Sequence, residues 1–100
     1  EFLLSSPFYG AHVSGGTTEL LRVEADGAGF IATCIGGTKD LNAGQLIDRV
    51  GVAMGLSFPC GPAIEKLALS CKEKVPKRAP RLDGTYVNFS GAENLSLSLL

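Results

Sequence analysis

The chain has 100 residues and a formal net charge of −1, a size that fits one domain or part of one. A charge this close to zero provides no overall field toward nucleic acid or a membrane, and no apolar run approaches the length of a bilayer span. The three cysteines are odd in number and lack C-x-x-C spacing, which disfavours a disulfide framework or a zinc site and favours a cytoplasmic location.

Three strands are predicted first, after a lead-in over residues 1–7. The Asp26-Gly27 dipeptide favours a type I′ hairpin between the second and third strands, because both central residues of that turn need positive φ. Gly36-Gly37 is expected to end the third strand. Together the strands predict an antiparallel meander, with segments Phe8–Ser14, Thr18–Ala25 and Phe30–Ile35.

The turn between the first two strands is the most informative segment. Gly15 and Gly16 have no Cβ, so a ligand can approach the backbone there. The amides of such a turn can converge on phosphate or carboxylate oxygens, with the hydroxyls of Ser14, Thr17 and Thr18 in reach. The alternative is an ordinary hairpin turn with glycine in the left-handed conformation.

The first helix is predicted over residues 43–54. Asn42 has the N-cap position, Gln45 completes a capping box from the third helical position, and Gly55 suits a left-handed C-cap. The apolar residues recur at helical spacing and predict a buried stripe, made of Ile47, Val50 and Met54.

A second helix is predicted to begin with Pro62 at its first position. Its expected apolar face consists of Ile64, Leu67, Ala68 and Cys71. Five of the nine basic residues then fall within residues 72–81, either as a solvated loop or as a patch that contacts RNA phosphates; the lack of interleaved aromatic residues favours the loop. A strand over residues 85–89 and a helix from Ala92 to Leu100 complete an α/β (α+β) fold.

Two further residues are candidates for a ligand site. Asp48 follows Ile47 on the first helix, where a carboxylate can face a groove and accept hydrogen bonds from ribose hydroxyls; the alternative is an exposed aspartate paired with Arg49 or Lys39. Gly61 permits a ligand ring to approach the backbone, or is a plain N-cap. His12 is the only histidine, and its place in a strand indicates a face residue instead of a metal ligand.

Taken together, these motifs resemble the TsaD family, also known as the Gcp or glycoprotease-like family and by the older name O-sialoglycoprotein endopeptidase. The resemblance covers about residues 8–91, and the order and spacing of its motifs make it specific. The matching segments are Val13–Leu20 (VSGGTTEL), Gly44–Gly51 (GQLIDRVG), Met54–Ala68 (MGLSFPCGPAIEKLA) and Val87–Gly91 (VNFSG).

The resemblance implies an RNase H-like domain of the actin-like ATPase superfamily, with residues 8–100 as the first part of the second such domain. Family members transfer a threonylcarbamoyl group from its adenylate to N6 of an adenosine in tRNA, working with TsaB-like and TsaE-like subunits. By the resemblance, residues 14–18 hold the phosphate and acyl end, Asp48 grips the ribose and Gly61 contacts the nucleoside. ATP or threonylcarbamoyl-adenylate is the implied ligand, and a divalent metal (iron, zinc or magnesium) would bind residues outside this chain.

Several positions depart from the family pattern. Thr17 replaces a histidine, Gln45 a glutamate, and Cys60 the first glycine of Gly-Gly-Pro. The usual Leu-Lys-Thr after Phe-Ser-Gly is Ala-Glu-Asn over residues 92–94. Because the resemblance places the metal-binding H-x-x-x-H helix before Glu1 and the adenine pocket after Leu100, the sequence is expected to be an internal fragment, inactive alone, that self-associates through exposed apolar surface. The alternatives are a divergent paralogue that binds nucleotide or a partner without catalysis, and a metal-dependent glycoprotein endopeptidase.

Overall fold

The computed structural model describes residues 6–75 and 77–100, so the lead-in predicted over residues 1–7 lies mostly outside the described part. Over the described residues the fold is mixed α/β, with a five-stranded sheet in the order β1-β2-β3-β5-β4 and three helices. This arrangement confirms the predicted fold class and is consistent with part of an actin-like ATPase fold. The elements are β1 Phe8–Val13, β2 Thr18–Asp26, β3 Gly29–Thr38, α1 Ala43–Ala53, α2 Gly61–Ser70, β4 Arg81–Asp83, β5 Tyr86–Asn88 and α3 Ser90–Ser98.

The first three strands form the predicted antiparallel meander. The expected type I′ turn at Asp26-Gly27 is wrong by one residue, because Asp26 pairs with Gly29 and the central residues are Gly27 and Ala28. Only Gly27 has positive φ, at 60°, and glycine at the first central position is the type II′ arrangement.

Strand β3 continues beyond the point where Gly36-Gly37 was expected to end it. A Cβ on Gly36 would overlap Thr85, and one on Gly37 would overlap the backbone of Thr18, so glycine here permits neighbouring strands to approach closely. The N–H of Gly37 donates to the carbonyl of Thr85 over 3.3 Å. Gly36 therefore admits the turn that leads into the parallel partner β5, and Gly37 admits β2. The hairpin of β4 with β5 adds a strand that the sequence had not indicated.

The ends of α1 follow the predicted capping chemistry. The side-chain oxygen of Gln45 accepts the backbone N–H of Asn42 over 2.8 Å. At the other end Gly55 has φ 92°, and the N–H of Leu56 donates to the carbonyl of Gly51 over 2.9 Å. This is the Schellman arrangement, and it ends α1 where the sequence predicted.

The predicted apolar stripes on the helices are largely wrong. On α1, Ile47 and Met54 are 41% and 44% exposed and only Gly51 is buried. On α2, Leu67 is 48% exposed, and Pro62 is the second helical residue, not the first. The physical reason is that the helices contact one another more than the sheet, so much of each apolar face has no covering element among the described residues.

Asp40 joins the end of β3 to the start of α3. Its carboxylate accepts the backbone N–H groups of Leu41 and Phe89, each over 2.8 Å, and that of Ser90 over 3.1 Å. The Phe89 bond is the main reason that the pKa of this carboxyl lies well below its usual range. Asp40 therefore satisfies N–H groups at the beginning of α3 that have no acceptor inside the helix.

Candidate functional site

The turn at residues 14–17 connects β1 to β2 and is tied together internally. The N–H of Ser14 donates to the carbonyl of Thr17 over 2.8 Å, and the hydroxyl of Ser14 accepts the N–H of Gly16 over 3.3 Å. Neither Gly15 nor Gly16 has positive φ, so the expectation of a left-handed glycine is wrong. The N–H groups of Gly15 and Thr17 have no acceptor among the described residues, which leaves them available to an anion.

This turn packs directly on the start of α1. A Cβ on Gly44 would come within 2.6 Å of the Cα of Gly15 and 2.7 Å of the carbonyl oxygen of Ser14, so only glycine allows this approach. The hydroxyl oxygen of Thr18 accepts the N–H of Ala43 over 2.8 Å. Thr18 thus satisfies one of the N–H groups at the helix start and fixes the turn against α1.

Asp48 lies one helical turn beyond Gly44 and is half-buried. Its Oδ1 accepts the backbone N–H of Cys60 over 2.8 Å, which fixes the loop that leads into α2. The alternative pairing with Arg49 or Lys39 is wrong, because Arg49 pairs with Glu93 and Lys39 pairs with Asp83. The second carboxylate oxygen of Asp48 makes no hydrogen bond to the described residues and remains available to a ligand.

Cys60 is fully buried at the start of α2. A Cβ on Gly51 would overlap the Cβ and sulfur of Cys60, so the thiol occupies space that the glycine leaves free. Burial raises the pKa of the Cys60 thiol, and the nearby Asp48 carboxylate acts in the same direction. Gly61 follows as the first residue of α2, and open space surrounds the position of its missing Cβ.

One open cleft of about 710 Å³ contains both the glycine turn and the helix carboxylate. Its walls come from the turn, from the outer side of α1, from the loop before α2 and from α3. Gly15 and Asp48 therefore face the same space, whereas the other predicted site residues do not line it, namely Ser14, Gly16, Thr17, Thr18 and Gly61. The lining residues are Gly15, Gln45, Asp48, Arg49, Val52, Ala53, Phe58, Glu93 and Leu97.

Sequence reasoning missed the charged pair in this cleft. Glu93 on α3 is only 8% exposed, and its Oε2 lies 2.6 Å from the Nε of Arg49 on α1. In the sequence Glu93 is only a departure from the family pattern, and an ion pair between distant segments leaves no local sequence signal. Phe58, which is 72% exposed, was also overlooked as a cleft residue.

Two other features limit the chemistry of the described residues. They hold no group of three or more histidine, cysteine, aspartate or glutamate side chains placed to bind a metal ion. None of the helices in this part of the chain combines the length and apolar character needed to cross a membrane. The cleft itself offers amides, carboxylates, one guanidinium and apolar surface, which suit binding and positioning of a ligand.

Curated proteins named tRNA N6-adenosine threonylcarbamoyltransferase are similar to the chain over most of its length. The protein from Endomicrobium trichonymphae is 38% identical over 96 residues, covering 94% of this chain and 27% of the relative. The protein from Sulfurihydrogenibium sp. (strain YO3AOP1) is 43% identical over 86 residues, covering 84% of this chain and 25% of the relative. The protein from Bacillus subtilis (strain 168) is 39% identical over 90 residues, covering 88% of this chain and 25% of the relative.

No family model matches the chain. The chain spans about a quarter of the length of the three relatives just described, and the similarity runs through the glycine turn, α1 and the start of α2. On this similarity, the chain belongs to the TsaD (Gcp) family of tRNA N6-adenosine threonylcarbamoyltransferases.

Proposed function

We propose that this chain contributes part of the cleft that binds ATP or threonylcarbamoyl-adenylate in a tRNA N6-adenosine threonylcarbamoyltransferase. The supporting observation is that Gly15 and Asp48, which lie far apart in the sequence, line one cleft. A bare backbone turn with free N–H groups beside a carboxylate suits a ligand with an anionic end and hydroxyl groups.

The proposed roles extend from Gly15 and Asp48, which line the cleft, to the other turn residues and Gly61, which do not line it. The turn over residues 14–18, with Ser14, Gly15, Gly16, Thr17 and Thr18, would hold the phosphate and acyl end. The free oxygen of Asp48 would accept a ribose hydroxyl. Gly61 would let the nucleoside approach the backbone. These groups orient the ligand and stabilise charge, and none of them is a nucleophile or a proton carrier.

The rest of the proposal concerns the longer protein to which the segment would belong. Residues 8–100 would be the first part of its second actin-like domain. A divalent metal, iron, zinc or magnesium, would be held by residues outside this chain and would supply charge stabilisation when bound. The substrate would be tRNA, the accessory proteins would be TsaB-like and TsaE-like, and the compartment would be the cytoplasm.

A non-catalytic paralogue is the second candidate. It is favoured by the burial of Cys60 where the family pattern has glycine, and by a carboxylate at Glu93 where the pattern has lysine. Both changes lie in or beside the proposed cleft, where they would alter how a ligand is held. The glycoprotein endopeptidase alternative requires a metal, and peptide cleavage that stops on chelation would support it.

The test compares Asp48→Ala with Asp48→Asn in the full-length protein. Asparagine retains an oxygen that can accept the Cys60 N–H and keeps the loop in place, but it lacks the charge that strengthens a bond to a ribose hydroxyl. We expect both variants to bind ATP more weakly by calorimetry, and only alanine to lower the melting temperature. Modified-nucleoside analysis of tRNA then separates a transferase from a non-catalytic paralogue. Unchanged ATP affinity in both variants would remove Asp48 from the site.

A further inference from the structure

We propose that Arg49 is an anion-binding residue of the cleft and that Glu93 is the residue that positions it. This inference rests on the proposed function, since it concerns the same cleft, and it identifies a ligand carboxylate or phosphate as the group that Arg49 contacts. It goes beyond the turn, Asp48 and Gly61, because it adds a charged pair that spans α1 and α3.

The first step concerns the burial of Glu93. Its side chain is 10% exposed, and burying a carboxylate is costly unless a partner compensates its charge. Arg49 is that partner, with Nε 2.6 Å from Oε2. However, this ion pair is not accompanied by a hydrogen bond, since Oε2 has no hydrogen-bond partner among the described residues. The carboxylate therefore attracts the guanidinium but leaves the N–H donors of Arg49 without an acceptor among the residues that the structure describes.

The second step concerns the donors that Arg49 retains. Its side chain is 61% exposed and lines the cleft. The guanidinium carries five N–H donors, and no hydrogen bond from Arg49 is formed within the described part of the chain. With Nε close to Glu93, the terminal nitrogens can contact a carboxylate or phosphate in the bidentate manner that this group favours.

The third step concerns what else faces the same space. Gly15 lines the cleft with its N–H free, and the neighbouring Thr17 N–H is also free. Asp48 and Gln45 add a carboxylate and an amide to the lining, and the rest of the surface is apolar, including Val52, Phe58 and Leu97. An anionic group between the turn and the guanidinium would thus meet two kinds of donor, while the rest of the ligand meets apolar surface.

The experiment measures binding of ATP, inorganic pyrophosphate and adenosine to the full-length protein by calorimetry. Arg49→Gln should weaken ATP and pyrophosphate about 10- to 100-fold, the loss expected for charge-assisted hydrogen bonds, and leave adenosine unchanged. Arg49→Lys should recover part of the loss. The matched control is Arg22→Gln, which removes an arginine paired with Glu24 on β2 and should change none of the three affinities.

Whether Glu93→Gln strengthens or weakens pyrophosphate binding shows whether Glu93 positions Arg49 or acts only through its negative charge. If Glu93 only adds negative potential, its removal strengthens pyrophosphate binding. If it positions Arg49, removal weakens pyrophosphate binding, and the double variant Arg49→Gln/Glu93→Gln binds no more weakly than Arg49→Gln alone. Stronger binding by Glu93→Gln, or additive losses in the double variant, would overturn the positioning role. Glu93→Asp tests the same point should the glutamine variant fail to fold.

The outcomes also separate this inference from the proposed function. ATP binding that depends on Asp48 but not on Arg49 would overturn the inference and leave the function standing. Pyrophosphate binding that depends on Arg49, without any binding of ATP, would support the inference and overturn the function. Absence of binding to all three probes would overturn both.

Discussion

Gly51 on α1 lies directly against the side chain of Cys60, which precedes α2 and is fully buried. The two helices can approach at this point because one residue has no side chain and the other has a small one. This contact holds the loop before α2 in place, and the Cys60 N–H in that loop donates a hydrogen bond to the Asp48 carboxylate. The packing of the two helices and the geometry of the cleft are therefore linked at one contact.

The first prediction concerns this contact. Gly51→Ala should lower the free energy of unfolding by about 1–3 kcal/mol, the usual cost of overpacking a tight site, and Cys60→Gly in the same protein should restore part of it by making room. Urea unfolding of the full-length protein measures both. Gly91→Ala is the matched control, since it also lies in a helix but has open space around the added carbon. Equal stabilities for Gly51→Ala and the control would contradict the contact.

The second prediction separates glycines kept for packing from glycines kept for a ligand. Gly15 has ordinary φ and open space at its missing Cβ, so the fold does not require glycine there. Gly15→Ala should leave stability unchanged or raise it by about 0.4–1 kcal/mol and weaken ATP binding, because the new methyl group enters the cleft. Gly10→Ala in β1 also meets open space and should not alter binding. A Gly15→Ala protein that binds ATP normally would contradict a backbone–ligand contact.

Local features of the fold were predictable from the sequence because neighbouring residues determine them. The hairpins, the Gln45 cap of α1 and the left-handed Gly55 each depend on a few adjacent positions. The register error at Asp26-Gly27 was also local, since Asp-Gly favours type I′ but glycine at the first central position equally suits type II′.

Features that depend on distant segments were not predictable. The bond between Asp40 and Phe89 joins residues 49 positions apart, and the Arg49–Glu93 pair joins two helices that are separate in the chain. Helical spacing identified apolar residues such as Ile47 correctly but could not reveal what covers them. The sequence pointed to Gly15 and Asp48, which line one cleft and match the family pattern, but it did not point to Glu93, where the chain departs from that pattern.

The third prediction uses the thiols as reporters of burial. Cys60 is buried and has a raised pKa, whereas Cys34 and Cys71 are exposed. Because the thiolate is the reactive form, iodoacetamide at pH 8 should alkylate Cys60 on the order of tenfold or more slowly than the other two. Peptide mass spectrometry gives the three rates, and labelling in denaturant provides the control in which the rates converge. Rapid native labelling of Cys60 would show that the loop before α2 opens.

The fourth prediction concerns the apolar surface. Large apolar residues are exposed on every side of the described fold, including Tyr9, Phe30, Phe58 and Leu69, an amount that soluble monomers rarely display. The 100-residue chain alone should therefore self-associate at high concentration, which light scattering measures. A monomer at all concentrations would contradict this expectation, and longer forms of the protein should associate less if they cover these faces.

The fifth prediction follows from Asp40, whose pKa in the folded state lies below its value of about 3.9 in an unfolded chain. A lowered folded-state pKa means that the carboxylate stabilises the fold at pH values above about 4, and that this contribution declines as the pH falls further toward the folded-state pKa. Asp40→Asn keeps an oxygen acceptor for the Phe89 N–H but removes the charge. Melting temperatures should therefore differ most near pH 7, with the wild type higher, and approach each other toward pH 3. A difference that stays constant over this range would show that the charge of Asp40 does not stabilise the start of α3.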